Sequence, residues 1–191
     1  IKIEDINVQE QRLVLQLGEE SPSAFQIQSI IEEKLKINAI IRGTGNFVTS
    51  VAEIRGSEKY QNVIGVARFV QNENKQCLLD AVIDGLELNQ QYQLGVHEYG
   101  DLSEPSYSSI GDRIFSFAKD IPCSVSKLSI KNKVDNCDLA PFIGHAFAIS
   151  KGSEVVGAGI VARASKVMDN SKKICACSGR TLWEEREDKK I

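Results

Sequence analysis

Apolar and polar residues alternate with a period of two along most of this chain, and a helical spacing interrupts them once near the start. RLVLQL (12–17) reads as a strand. SPSAFQIQSIIEEKLK follows, with Ala24, Ile27, Ile30, Ile31 and Leu35 at helical spacing. Its entry is expected at Ser21 or Ser23, with Pro22 tolerated in the first turn. NAII (38–41) predicts a return to strand. A strand–helix–strand unit over residues 1–42 is too small to bury a core alone. The chain also starts at Ile1 rather than Met, so this unit is expected to be the remainder of a longer domain.

From about residue 48 to 167 the pattern changes. VTSVAEIR, NVIGVARFVQ, CLLDAVIDGL, YQLGVHEYGD, RIFSFAKDI, HAFAISK and VVGAGIVARA are short strand-like runs divided by turns. In CLLDAVI, Leu79, Ala81 and Ile83 alternate with the rest, and Asp84–Gly85 is a tight-turn signal. Strands at this spacing predict a β-sandwich or barrel. Residues 168–191 are polar and charged without periodicity, and EEREDKKI is expected to be a solvated tail. No internal repeat or low-complexity tract stands out.

Composition narrows the function classes. The chain has 191 residues and 42% hydrophobic content, ordinary for a globular protein. A net charge of −3 gives no electrostatic case for nucleic acid or an anionic membrane. No apolar run approaches the roughly 18 residues of a membrane-spanning helix. Five cysteines, an odd count in a chain this long, argue against a secreted disulfide framework and for a reducing setting.

Two of those cysteines carry the chemistry. In KKICACSGRTLWEER (172–186), Cys175 and Cys177 sit one residue apart among charges. In an extended segment their sulfurs face the same side. Thiolates suit Cu(I), which accepts two or three sulfur ligands, whereas a pair cannot complete a structural zinc site. Lys172, Lys173 and Arg180 favour the thiolate form. Exposed thiolates also exchange with disulfides. Neither His97 nor His145 lies in a metal-site spacing, and each is expected to be a structural, hydrogen-bonded group. Cys77 is expected as a small buried hydrophobe. Cys123 and Cys137 flank a loop, and their spacing does not pair them. GTG (43–45) lacks the pattern of a phosphate loop. Trp183 is either a partner-contact anchor or folded back on the barrel.

KKICACSGRTLWEERED, with its CxC, following glycine and W-E-E-R run, is similar to the C-terminal domain of the fungal-type copper chaperones for superoxide dismutase. DGLELNQQYQLGVHEYGD resembles the copper,zinc superoxide dismutase segment bearing the H-x-H-x-x-G-D motif. IGHAFAIS (143–150) and GAGIVARA (157–164) resemble two strands near that fold's dimer interface. Residues 1–42 resemble the later part of the chaperones' small ferredoxin-like domain. The departures are informative. The two copper-ligand places of the first motif hold Gly95 and His97, and the later one holds Ser150. The loop LSEPSYSSIGDRIFSFAKD has no histidine. The disulfide cysteines are replaced, one by Ala158. The family's M-x-C-x-x-C copper loop is absent from these residues, and His145 stands where arginine is usual.

The resemblance implies a mainly β protein: a Cu,Zn superoxide dismutase-like Greek-key barrel over 43–167, a partial ferredoxin-like, heavy-metal-associated α/β domain over 1–42, and a flexible CxC copper-transfer tail over 168–191. It implies a metallochaperone rather than an active dismutase. Docking on a dismutase subunit as a heterodimer would use Ile143, Gly144, Gly159, Ile160, Arg163 and Trp183; a homodimer through the same surface is the other expected assembly. Cys175 and Cys177 would hold Cu(I), pass it on and promote the target's disulfide. The expected location is the cytoplasm, with the mitochondrial intermembrane space as a second site. The alternative is a non-catalytic binding or oligomerisation module with a vestigial CxC.

Overall fold

The structure is a computed structural model that describes residues 1–18, 20–169, 173 and 178–189; the side chains of Arg186, Asp188 and Lys189 are not part of that description. The chain divides into two compact units, Ile1–Ile41 and Arg42–Ile191.

The first unit holds two antiparallel strands, β1 (Lys2–Asn7) and β2 (Arg12–Gln16), and the helix α1 (Ala24–Leu35). The helix begins as its sequence predicts. Ser23 is the N-cap, its hydroxyl accepting from Gln26 N–H while the Gln26 side chain accepts from Ser23 N–H. Lys36 ends it in the left-handed conformation, φ 54°. Two expectations need correction. β1 was not foreseen from IKIEDIN, where Glu4 and Asp5 break the alternation and a register shift between Ile3 and Asp5 absorbs the break. NAII (38–41) forms no strand. Its backbone finds partners on the helix instead: Ala39 N–H donates to Glu32 Oε1 at 2.8 Å, and Gln28 Nε2 donates to Ala39 O.

The second unit is an antiparallel barrel. Its strands are β3 (Val48–Gly56), β4 (Ile64–Gln71), β5 (Cys77–Asp84), β6 (Gln90–His97), β7 (Arg113–Cys123), β8 (Leu128–Val134), β9 (Ala146–Lys151) and β10 (Glu154–Ile160), in the order β7-β6-β9-β10-β3-β4-β5-β8. A short β11 (Ala162–Arg163) extends the pairing with β3. The meander β3–β4–β5 crosses to the hairpin β6–β7. The chain then returns beside β5 as β8, and crosses again to set β9 and β10 between β6 and β3. This is Greek-key connectivity in a nearly closed sheet, which removes most exposed edges. β7 and β8 meet without a shared ladder, and Asn132 Nδ2 donates to Phe117 O across that seam.

Strand β8, LSIKNKV, was missed in the sequence because charges occupy its outward positions, Lys131 and Lys133; Leu128 is its buried anchor. Inside the barrel, Phe69 lies 4.9 Å from Phe147 and 5.0 Å from Phe117 by ring centroids, in tilted and edge-on arrangements that aromatic quadrupoles favour. Tyr92, Leu94 and Val96 of β6 point into this core. Their neighbours Gln93, Gly95 and His97 therefore face outward, and that alternation positions the candidate site.

Residues 181–189 also depart from the expected aperiodic tail. Thr181 caps a helix α2 (Leu182–Lys189): its hydroxyl accepts from Glu184 N–H, and Glu184 Oε2 accepts from Thr181 N–H at 2.8 Å.

Candidate functional site

Three places collect the residues singled out by sequence. The first is the outward face of β6 and β9. Gly95 and Ser150 lie on this face, with Gln93 directly opposite Ser150. Arg113 reaches across it from β7. A Cβ on Gly95 would stand 2.6 Å from Arg113 Cδ, so the missing side chain makes room for the arginine stem. The guanidinium donates to Ser150 Oγ at 2.5 Å and to Gln93 Oε1. A side-chain cation thus fills the ground between Gly95 and Ser150.

His97, 6% exposed, lies at the end of the same face. Its Nδ1–H donates to Gly111 O at 2.9 Å, which leaves Nε2 as a bare, buried lone pair without a hydrogen-bond partner. Burial holds its pKa below the ordinary histidine value; the Gly111 bond opposes that shift and the nearby Arg113 charge adds to it. His97 is therefore a neutral imidazole. Beside it, Tyr107 and Ile110 from the connection between β6 and β7 pack on Ala146, Ala148 and Ala158. Tyr107 Oη reaches the Arg55 and Gly56 carbonyls at 3.2 and 3.3 Å. This satellite cluster covers β9 and β10 with apolar contact. Among the described residues, no three His, Cys, Asp or Glu side chains group as metal ligands.

The second place is the end of the barrel where β6, β9 and β10 run out. Gly144 N–H donates to Val161 O at 2.8 Å, Val161 N–H to His145 O at 2.9 Å, and Ala146 N–H to Tyr99 O at 3.1 Å. His145 Nδ1 donates to His97 O at 3.0 Å, so this histidine is a structural clasp between segments. A Cβ on Gly100 would meet Gly144 O at 1.9 Å and Ile160 Cδ1 at 3.4 Å, so glycine is required for these segments to touch. The result is an end where Tyr99, 53% exposed, stands with Gly144 and the half-buried Ile143 and Ile160. A hollow of about 440 Å³ opens there, lined by residues 98–101 and 143–145. Tyr99 and Gly100 were not singled out in the sequence, although they follow His97 directly. Gly159 is buried against Glu53 O, and Arg163 is exposed on β11 beside Ser50. The structure brings Ile143, Gly144 and Ile160 together and leaves these two outside that cluster.

The third place is the C-terminal segment. Cys175 and Cys177 lie outside the described residues. Their described flanks meet: Leu182 N–H donates to Lys173 O at 3.0 Å, beside the capped start of α2. Trp183 is half-buried on α2. Among the described residues, no helix is long and apolar enough to cross a membrane.

Comparison with known proteins gives both a sequence and a fold likeness. No family model matches the chain. The superoxide dismutase 1 copper chaperone of Candida glabrata is 34% identical over 166 residues, covering 79% of this chain and 69% of that protein. The protein of that name from Kluyveromyces lactis is 32% identical over 170 residues with the same coverage. The copper chaperone for superoxide dismutase of Rattus norvegicus is 26% identical over 223 residues, covering 96% of this chain and 79% of the relative. Among solved structures, a mutant of superoxide dismutase 5 from Candida albicans superposes with a TM-score of 0.51 at 12% identity, covering 66% of this chain and 99% of that one. That similarity establishes the barrel fold alone.

Proposed function

The chain belongs to the family of copper chaperones for superoxide dismutase, and from that premise we propose that it docks on an immature copper,zinc superoxide dismutase subunit, delivers Cu(I) to it and promotes its internal disulfide. The observation that carries this reading is the contrast on the barrel. Arg113 spans the face where a dismutase would place ligand histidines, while the end beyond it leaves the Tyr99 side chain exposed beside the half-buried Ile143 and Ile160. A dismutase-like shape with a filled ligand face suits recognition rather than dismutation. Docking as a heterodimer uses that apolar end, with a homodimer through the same surface as the partner-free form.

Cu(I) is cargo held by the Cys175 and Cys177 thiolates. It moves by stepwise exchange, an incoming target ligand binding before an outgoing thiolate leaves. The disulfide step uses the same sulfurs with hydrogen peroxide as oxidant. A CxC thiolate attacks the peroxide; an S–O bond forms, the O–O bond breaks and one water leaves. A target thiol displaces the sulfenic oxygen as a second water, giving a mixed disulfide. The target's second thiolate then attacks the target sulfur of that bond and releases the chaperone thiolate. Two target thiols are oxidised and one peroxide is reduced to two waters. This chemistry fits a reducing compartment such as the cytoplasm, where the thiolates persist between turnovers.

The test supplies reduced, zinc-loaded, copper-free dismutase with this chain, limiting Cu(I), oxygen and a strong copper chelator. Dismutase activity is expected to appear with the parent chain. With Cys175→Ser, Cys177→Ser it should stay at the level without chaperone, while co-elution with the target is retained. Equal activation by both chains excludes the transfer role and leaves docking alone.

A further inference from the structure

We propose that Cys77 and Cys137 are a redox-modifiable pair inside the barrel, closing to a reversible disulfide when the protein meets hydrogen peroxide. The placement is independent of the CxC segment. Cys77 opens β5 and stands opposite Val134 of β8. The turn that follows β8 brings Cys137 back to the same spot, its N–H donating to Lys75 O at 2.8 Å. Both side chains belong to the main core, 0% and 1% exposed. The register and the bond to Lys75 set both thiols in the same part of the core, close enough to interact. Cys123, also buried in that core, differs, since its S–H is engaged by Val125 O at 2.7 Å.

The pair is asymmetric. Interaction with Cys77 lowers the Cys137 pKa, against the opposing effects of burial and of Asp138, whereas interaction with Cys137, together with burial, raises the Cys77 pKa. Cys137 is the attacking thiol and Cys77 the resolving one. Access follows from position. Asn136 beside Cys137 is exposed, and the turn is held by surface contacts, Gln76 Nε2 to Asp135 Oδ1 at 2.9 Å and Lys75 Nζ to Asp138 Oδ2 at 3.7 Å. Opening of that turn uncovers Cys137 first.

The Cys137 thiolate attacks a peroxide oxygen; an S–O bond forms, the O–O bond breaks and one water leaves. The Cys77 sulfur attacks the sulfenic sulfur; the S–S bond forms, the S–O bond breaks and the second water leaves. Two thiols lose two electrons in total and one peroxide gains them. A dithiol reductant reverses the step. The closed form fastens β5 to the connection that ends at Ile143 and Gly144.

The test treats the full chain with hydrogen peroxide, then maps peptides by mass spectrometry without reduction. A linked Cys77–Cys137 peptide, two hydrogens lighter than its reduced parts, is expected. With it should come a rise in Tm of about 5 °C or more, reversed by dithiothreitol. In Cys77→Ala the rise should vanish, and Cys137 should become trappable by a sulfenic-acid reagent. The proposal fails if both thiols remain alkylatable in denaturant after treatment. It also fails if Cys137 links to another cysteine, or if Cys77→Ala shows the same reversible rise.

Discussion

The outward face of β6 and the end of that strand lie two residues apart and are built for opposite purposes. At Gly95 and His97 every space is taken: the Arg113 stem lies over the glycine, its guanidinium is bonded to Gln93 and Ser150, and the imidazole is buried. At Tyr99 and Gly100 the chain leaves a large ring in solvent beside Ile143 and Ile160. The chain thus passes within a few residues from a tightly packed polar knot to a surface with an exposed aromatic ring. Close packing marks a face closed to a further side chain. An exposed aromatic with aliphatic neighbours marks one that is completed by something else.

The sharpest way to break this contrast is to place charge on the open end. Tyr99→Asp, at a side chain 53% exposed, is expected to weaken binding to immature dismutase about 30-fold or more with little change in the barrel's thermal midpoint; unchanged affinity in calorimetry moves docking elsewhere. Arg113→Ala should do the reverse. It leaves Gln93 and Ser150 unpaired over a void, costing about 2 kcal/mol in urea unfolding while docking persists. His97 gives a smaller effect that depends on pH. Its folded pKa lies below the unfolded value of about 6.5, so the unfolded state binds the proton first. Stability present above that pH is lost as the pH falls through it toward the lower folded value, and His97→Gln should flatten that part of the profile. Smallest is Thr181→Ala, which removes the α2 cap. It should speed amide exchange in α2 by an amount equivalent to about 1 kcal/mol and leave the barrel unchanged.

Much of the barrel was legible because alternation carries its own register: runs such as CLLDAVI announce one buried and one outward face. β8 was not, since its lysines fill the outward positions and mask the period. NAII misled for the opposite reason, an apolar run whose backbone is satisfied by Gln28 and Glu32 side chains rather than by a strand. The α2 start was readable in T-x-x-E (181–184) had charge not drawn the eye to solvent. Ile143, Gly144 and Ile160 were chosen from resemblance, and they fall together in space. Arg113 was invisible, because its partners lie 20 and 37 residues away in sequence. The Cys77–Cys137 contact was hidden likewise, its two halves brought together only by the return of β8 beside β5.

Arg113 has a consequence for assembly inside a cell. A bound metal stabilises its host only in proportion to its free concentration, so a face completed by metal folds as supply permits. A guanidinium arrives with the polypeptide at a fixed ratio of one to one and cannot be withdrawn by a chelator. The folding of this face is therefore uncoupled from copper supply. On the proposed function, the barrel is ready in a starved cell, which is when a carrier of scarce copper has most to do.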